Sequence, residues 1–272
     1  MDSITTIEGS SHIVLSIPHA GRVSPDGLEG RLHSLRRAEL ETDIHLERLV
    51  PLAAEAGVSV VMSNVLRSVV DVNRPPNGEA LYPDRPPSDP LLQSTFDGLP
   101  IWRPDQAPDA QERGMLMRDV FWPYHEALKL ALDRARRAHG TALLLDAHSI
   151  RSLVPSVSPD PLPDVCLGSN RYASADMRTV TCIANVVRAH GLECSTDEHF
   201  LGGYVTRNAG EPQNGVHAVC VETAKRVYLD EADQWAEPVR MNVLLELYRA
   251  FLEALATLKP VSPTSVNEGK NI

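Results

Sequence analysis

The chain has 272 residues and a mass of 29.8 kDa, enough for one large α/β domain with a full hydrophobic core and no disulfide or metal staples. Hydrophobic residues make up 43% and charged residues 23%, which excludes wholesale disorder. With 26 Lys and Arg against 36 Asp and Glu, the net charge of −10 argues against general binding to nucleic acid or to an anionic membrane.

The first residues, MDSITTIEGSS, carry neither the basic nor the apolar stretch of a signal peptide. No run of about 18 apolar residues suggests a membrane span. Cys166, Cys182, Cys194 and Cys220 form no CxxC pair and lie in apolar segments, as reduced core thiols do. The expectation is a cytoplasmic protein that binds neither nucleic acid nor membrane. No periodicity in the sequence speaks to its oligomeric state.

Short β-branched apolar runs alternate with helical stretches, which predicts an α/β fold with a mixed central sheet and helices on both faces. One domain is expected over 1–258, followed by a flexible polar tail over 259–272. In chain order, a strand over 12–17 runs into ProHisAlaGly and puts His19 at its carboxyl end. A helix over 29–56 follows and contains Glu41-Thr42-Asp43-Ile44-His45. Strands are predicted over 58–63 and 67–72, the second ending at Asn73-Arg74. Nine prolines then fall between Arg74 and Arg113, within a loop over 75–112. A loop that long is functional or disordered, and its departure from the AsnArg pair favours a lid or pocket wall. A helix over 112–139 leads to a strand over 141–147, where AlaLeuLeuLeu runs into AspAlaHisSer and presents His148. Strands over 164–168 and 192–196 flank a helix over 173–190. A strand over 216–222 ends in Glu222, and a helix over 230–258 closes the domain.

Ligands in open α/β sheets bind outside the carboxyl ends of the strands. Three predicted ends carry His19, His148 and Glu222, the inventory of a hydrolytic zinc site with an acid/base group. Each residue alone has a plainer reading, as a loop, capping or salt-bridged side chain. The surroundings of His148 shift the balance, because Asp146 shares its strand face and can orient the imidazole. A charge directly after four apolar residues is costly unless paired. Asp43 is the chosen third ligand, with Glu41 and His45 as alternatives; a helix N-terminus capped at Thr42-Asp43 and supported by Glu47 explains the same residues structurally.

Asn73 and Arg74 form the candidate substrate clamp, since a guanidinium fork suits a carboxylate and an amide adds a directed donor. Arg67 is a second candidate. GlyGlyTyrValThrArgAsn supplies a third, Arg207, beside Gly202 and Gly203, which permit close backbone approach. Surface ion pairs are the alternative for each arginine.

Six segments in this order resemble the N-formylglutamate amidohydrolase family. They are SerIleProHisAlaGly, GluThrAspIleHis, ValAspValAsnArgProPro, LeuAspAlaHisSer, GlyGlyTyrValThrArgAsnAlaGly and ValGluThrAlaLysArgValTyrLeuAspGlu, spanning about residues 12–232. The resemblance implies a fold related to the zinc carboxypeptidases, of the phosphorylase/hydrolase-like kind, and a Zn2+ or other divalent metal site. It maps His19 and His148 onto histidine ligands, Asn73-Arg74 onto the carboxylate clamp and Glu222 onto the general base. The carboxypeptidase pattern has its acidic ligand three residues after the first histidine, where this chain has Arg22, so the third ligand comes from elsewhere. The implied reaction is hydrolysis of N-formyl-L-glutamate to formate and L-glutamate in histidine degradation, with Arg207 expected at the γ-carboxylate. The implied partner is thus a small acidic N-acyl amino acid. A related N-acyl-amino-acid amidohydrolase is one alternative. A non-catalytic binder of acidic metabolites is a remote one, since it predicts loss of a ligand or of the base.

Overall fold

The structure is a computed structural model and describes residues 2–25, 27–80, 87–232, 234 and 238–258. Its strands are β1 (Ile4–Ile7), β2 (Ile13–Ile17), β3 (Ser59–Ser63), β4 (Ala142–Ile150), β5 (Val165–Gly168), β6 (Cys194–Thr196) and β7 (Val216–Ala224). They form one seven-stranded sheet in the order β1-β3-β2-β4-β7-β5-β6. β3, β2, β4 and β7 run parallel, β1 and β5 pair antiparallel to β3 and β7, and β6 lies parallel to β5. The sheet is mixed, as expected.

The helices are α1 (Leu35–Glu39), α2 (Leu49–Glu55), α3 (Ala110–Leu116), α4 (Trp122–His139), α5 (Met177–Ala189), α6 (Tyr204–Ala209) and α7 (Pro238–Thr257). Period-two alternation along the central strands feeds a core on each face. Ile13, Leu15 and Ile17 join Leu143, Leu145, Val219 and Val221 in one core, closed by α2, α5 and α7. Val14, Leu144 and Ala218 point into the other, closed by α4. Helices therefore cover both faces, and the central strands read as continuous apolar runs for that reason. α3 begins with a capping box, Asp109 and Glu112, and joins α4 through a π-helical stretch, Met117–Phe121. α4 stops at Gly140, whose φ of 78° is left-handed. Among the described residues no helix is long and apolar enough to cross a membrane.

Three predicted elements differ. The segment 67–72 is not a strand: Val69 and Val70 donate back to the carbonyl of Leu66, and the Asp71 carboxylate accepts the N–H of Asn73. That side-chain bond gives the backbone an alternative to a ladder, and the three valines are buried beneath the loop instead of between strands. The helix over 29–56 is broken into α1, α2 and two 3-10 turns: Leu32 and Ser34 take extended backbone ahead of α1, and His45 adopts a left-handed φ of 71° before the turn that leads into α2. The last helix begins at Pro238, short of the predicted 230. Strand β1 and the single-turn-and-a-half α6 were not expected. The tail over 259–272 and residues 81–86 of the Pro-rich loop lie outside the described residues.

Candidate active site

Strands β2, β4 and β7 aim their carboxyl ends at one cavity of about 260 Å³, lined by His19, Asp43, His148 and Glu222 among others. His19 lies just past β2. His148 and Glu222 are direct cross-strand partners within β4 and β7 and lie on the same sheet face. Asp43 comes from the irregular backbone between α1 and α2, where its N–H donates to the carbonyl of His19 at 2.9 Å. All three candidate ligands are almost wholly buried, at 3%, 1% and 2% exposure for His19, Asp43 and His148.

Nδ1 of His148 is 3.1 Å from Nδ1 of His19 and 3.2 Å from Oδ2 of Asp43, and His19 Nδ1 is 3.5 Å from the same oxygen. A tetrahedral zinc ion with bonds of about 2.0–2.1 Å holds its ligand atoms roughly 3.3–3.4 Å apart. The residues therefore fit such an ion in donor type and in spacing. Both Nδ1 atoms face inward because the other ring nitrogens are occupied. His19 Nε2 meets Asp71 Oδ1 at 2.7 Å, while His148 Nε2 meets Asp146 Oδ2 at 3.3 Å and the Asn73 amide nitrogen at 3.1 Å. Carboxylates behind ligating imidazoles set their orientation and basicity.

The supporting carboxylates are themselves fully engaged. Asp146 accepts from Ser16 at 2.7 Å and from Thr206 at 2.8 Å. Asp71 accepts from Arg67 at 2.6 Å, Arg74 at 3.2 Å and its own turn. Burial opposes ionisation of Asp71, but the Arg67 and His19 charges outweigh it and hold the carboxyl well below its usual range. Asp43 likewise stays below the usual range, since hydrogen bonds from His148 and His19 overcome the cost of burial. Burial disfavours the charged form of His148, yet Asp146 raises its pKa well above that of a free histidine.

Glu222 behaves oppositely. Burial is the largest influence on it and raises its pKa, with His148 pulling back only in part. Its Oε2 is buried and has no hydrogen-bond partner among the described residues. A carboxyl with a raised pKa and one oxygen left without a partner among the described residues, in a cavity beside candidate metal ligands, is suited to proton transfer.

The clamp candidates divide. Arg74 lines the cavity with its Nε on Asp71, and its other N–H groups donate to no described residue. Arg67 also lines it, buried, with its guanidinium carbon 5.4 Å from the Phe96 ring centre. Asn73 is committed internally: its Oδ1 accepts the Val205 N–H at 2.8 Å, bracing α6. A Cβ at position 203 would stand 2.3 Å from the Asn73 amide nitrogen, so the chain needs glycine there. Arg207 is not brought to the cavity lining and donates its Nε to the carbonyl of Gly202 at 2.9 Å. The alternatives to Asp43 turn away: a Glu41 carboxylate oxygen accepts the Phe96 N–H at 3.2 Å, and His45 Nε2 sits 3.3 Å from the Gln234 carbonyl.

Sequence reasoning passed over Asp71, Tyr228, Ser149, Phe96 and His199, the last three on the cavity wall. The first had a usable signal. Asp71 interrupts a valine run just as Asp146 follows a leucine run, and the same cost of an unpaired charge applies. The Pro-rich segment contributes Pro87, Ser88 and Phe96 to the wall.

Fold and site together define an α/β protein with a candidate metal centre at the carboxyl ends of its parallel strands. The profile of the N-formylglutamate amidohydrolase family matches residues 11–229, and the chain belongs to that enzyme family. It is 37% identical over 239 residues to an N-formylglutamate deformylase of Pseudomonas aeruginosa, covering 87% of this chain and 89% of the relative. Against an N-formylglutamate deformylase of Pseudomonas putida it is 34% identical over 261 residues, 93% of this chain and 97% of the relative. The fold matches the crystal structure of an N-formylglutamate amidohydrolase from Ralstonia eutropha with a TM-score of 0.81 at 20% identity, covering 94% of this chain and 97% of that one. A gene product of Agrobacterium tumefaciens has the same fold, with a TM-score of 0.70 at 15% identity and 94% and 96% coverage.

Proposed function

We propose that this chain hydrolyses N-formyl-L-glutamate to formate and L-glutamate, the deformylation step of histidine degradation, with Glu222 as general base. The observation that carries the reading is that Glu222, whose buried Oε2 has no hydrogen-bond partner among the described residues, lines one cavity with the His19–Asp43–His148 cluster. A divalent cation, Zn2+ in our assignment, held by those three residues would supply Lewis acidity toward water and the formyl oxygen. Glu222 takes a proton from the attacking water as the C–O bond forms, and returns it to the nitrogen as the C–N bond breaks. Without that proton glutamate would leave as a poor amide anion. Arg74 supplies the free guanidinium edge for a substrate carboxylate. Arg67, held by Asp71, adds fixed positive charge on the same wall. Asn73 acts by holding the Arg74 backbone turn against α6. Arg207 shapes the wall through its bond to Gly202.

A second reading has its own support. Ile150, Val154, Val157 and Phe200 make part of the cavity wall apolar, which suits an acyl group larger than formyl. Formate release from N-formyl-L-glutamate, measured before and after chelation and with Zn2+ restored, tests the first reading. Release that chelation stops and Zn2+ restores is the expected result. No formate, with glutamate released from N-acetyl-L-glutamate or a longer acyl analogue, would favour the second. No turnover and no bound metal would sink both.

A further inference from the structure

Asp43 sits in irregular backbone, yet a metal ligand must be held to a fraction of an ångström. Three side chains from elsewhere in the fold hold it. Lys225, in the 3-10 turn that follows β7, donates its Nζ to the carbonyl of Thr42 at 2.8 Å. Tyr228, just beyond that turn, has its hydroxyl 3.0 Å from the carbonyl of Ile44. The carbonyls on either side of Asp43 are thus both approached by the segment that continues from Glu222, the Thr42 carbonyl accepting from Lys225 and the Ile44 carbonyl lying beside the Tyr228 hydroxyl. The Tyr228 hydroxyl is also 2.9 Å from Ser149 Oγ, which in turn lies 3.3 Å from Asp43 Oδ1. All four side chains are buried. Each hydroxyl has one proton, and an ionised carboxylate only accepts. The arrangement that serves the charge runs one way: Ser149 donates to Asp43 Oδ1 and the single Tyr228 proton goes to Ser149 Oγ, leaving the Ile44 carbonyl as a contact of the same hydroxyl. Oδ2 remains on the side of the two histidines.

We propose that Lys225, Tyr228 and Ser149 are positioning residues that fix Asp43 as a single-oxygen ligand, with Oδ1 reserved by Ser149 and Oδ2 left for the cation. This rests on the cation site proposed above. Holding one oxygen back keeps a coordination position open for water or substrate, as catalytic sites require. It also ties the ligand loop to the strand that carries the base.

The test uses the metal-free full chain. Zn2+ affinity is measured by competition with a chromogenic chelator, and the melting temperature of the metal-free form is recorded beside it. Ser149→Ala should weaken Zn2+ binding about 10- to 100-fold, with melting within a few degrees of the unaltered chain. Tyr228→Phe should weaken it less. The double variant should lose less than the product of the two single losses, because both act through one oxygen. Lys225→Met should weaken Zn2+ as well; if it fails to fold, the Ser149 and Tyr228 variants still decide. Unchanged affinity in both single variants, or losses that multiply independently, would overturn the proposal while Asp43→Ala still abolished binding. If the unaltered chain binds no Zn2+, or Asp43→Ala binds it as well, the cation site falls and this inference with it.

Discussion

Strand β4 is two strands in chemical terms. Ala142 to Leu145 are buried and apolar, split by alternation between the two cores. Asp146, His148 and Ser149 are buried just as deeply, yet polar. The first half gains from removing apolar surface from water, at about 25 cal/mol per Å². The second half costs free energy unless every polar atom finds a partner, and these do: Ser16, Thr206, Asn73, Asp43 and Tyr228 supply them. Equal burial along one strand thus separates a part that stabilises the fold from a part the fold must support. β7 repeats the contrast, with Val219 and Val221 in the core and Glu222 unsatisfied beside them.

The comparison breaks most sharply at Glu222. Glu222→Gln should lower kcat about 10²- to 10⁴-fold with bound metal unchanged, read by formate release and metal analysis; loss of the metal as well would make it a ligand. In the apolar half, Leu144→Ala should cost about 2–5 kcal/mol and lower the melting temperature, with KM unaffected in whatever enzyme remains folded. Asp146→Asn should do the reverse, weakening Zn2+ about 10- to 100-fold with a smaller effect on melting. Equal stability losses at 144 and 146 would erase the distinction between the two halves.

The smallest effect concerns pH. The folded-state pKa of Glu222 lies above its ordinary 4.5, so the fold favours the protonated form. The stability this contributes is present at low pH and lost as pH rises through the raised value. Metal-free Glu222→Gln should therefore melt above the unaltered chain near neutral pH, with the gap closing toward about pH 4. A gap that widened on acidification would reverse the sign and remove the buried charge as its cause.

Much of the site was legible because its residues follow strands whose apolar runs are unmistakable. His19, His148 and Glu222 could be placed at sheet ends, and Asp146 could be set behind His148 by alternation alone. Asp71 was hidden because its valine run reads as a strand, whereas the bonds from Arg67 and Asn73 fold it into a turn. Arg207 is a different case of reach: its neighbouring glycines suggested a pocket, and its Nε is bonded to the carbonyl of Gly202, which lines the cavity.

The sequence by itself determined the α/β class, the central strands and which candidate residues stand at their carboxyl ends, since these depend on hydrophobic periodicity and on local residue types. Only the tertiary structure decided which of Glu41, Asp43 and His45 meets the histidines, that Asn73 braces and Arg74 faces the cavity, and that Lys225, Tyr228 and Ser149 converge on one carboxylate. Those contacts join residues up to 184 positions apart, and no local pattern encodes a distance across the sheet.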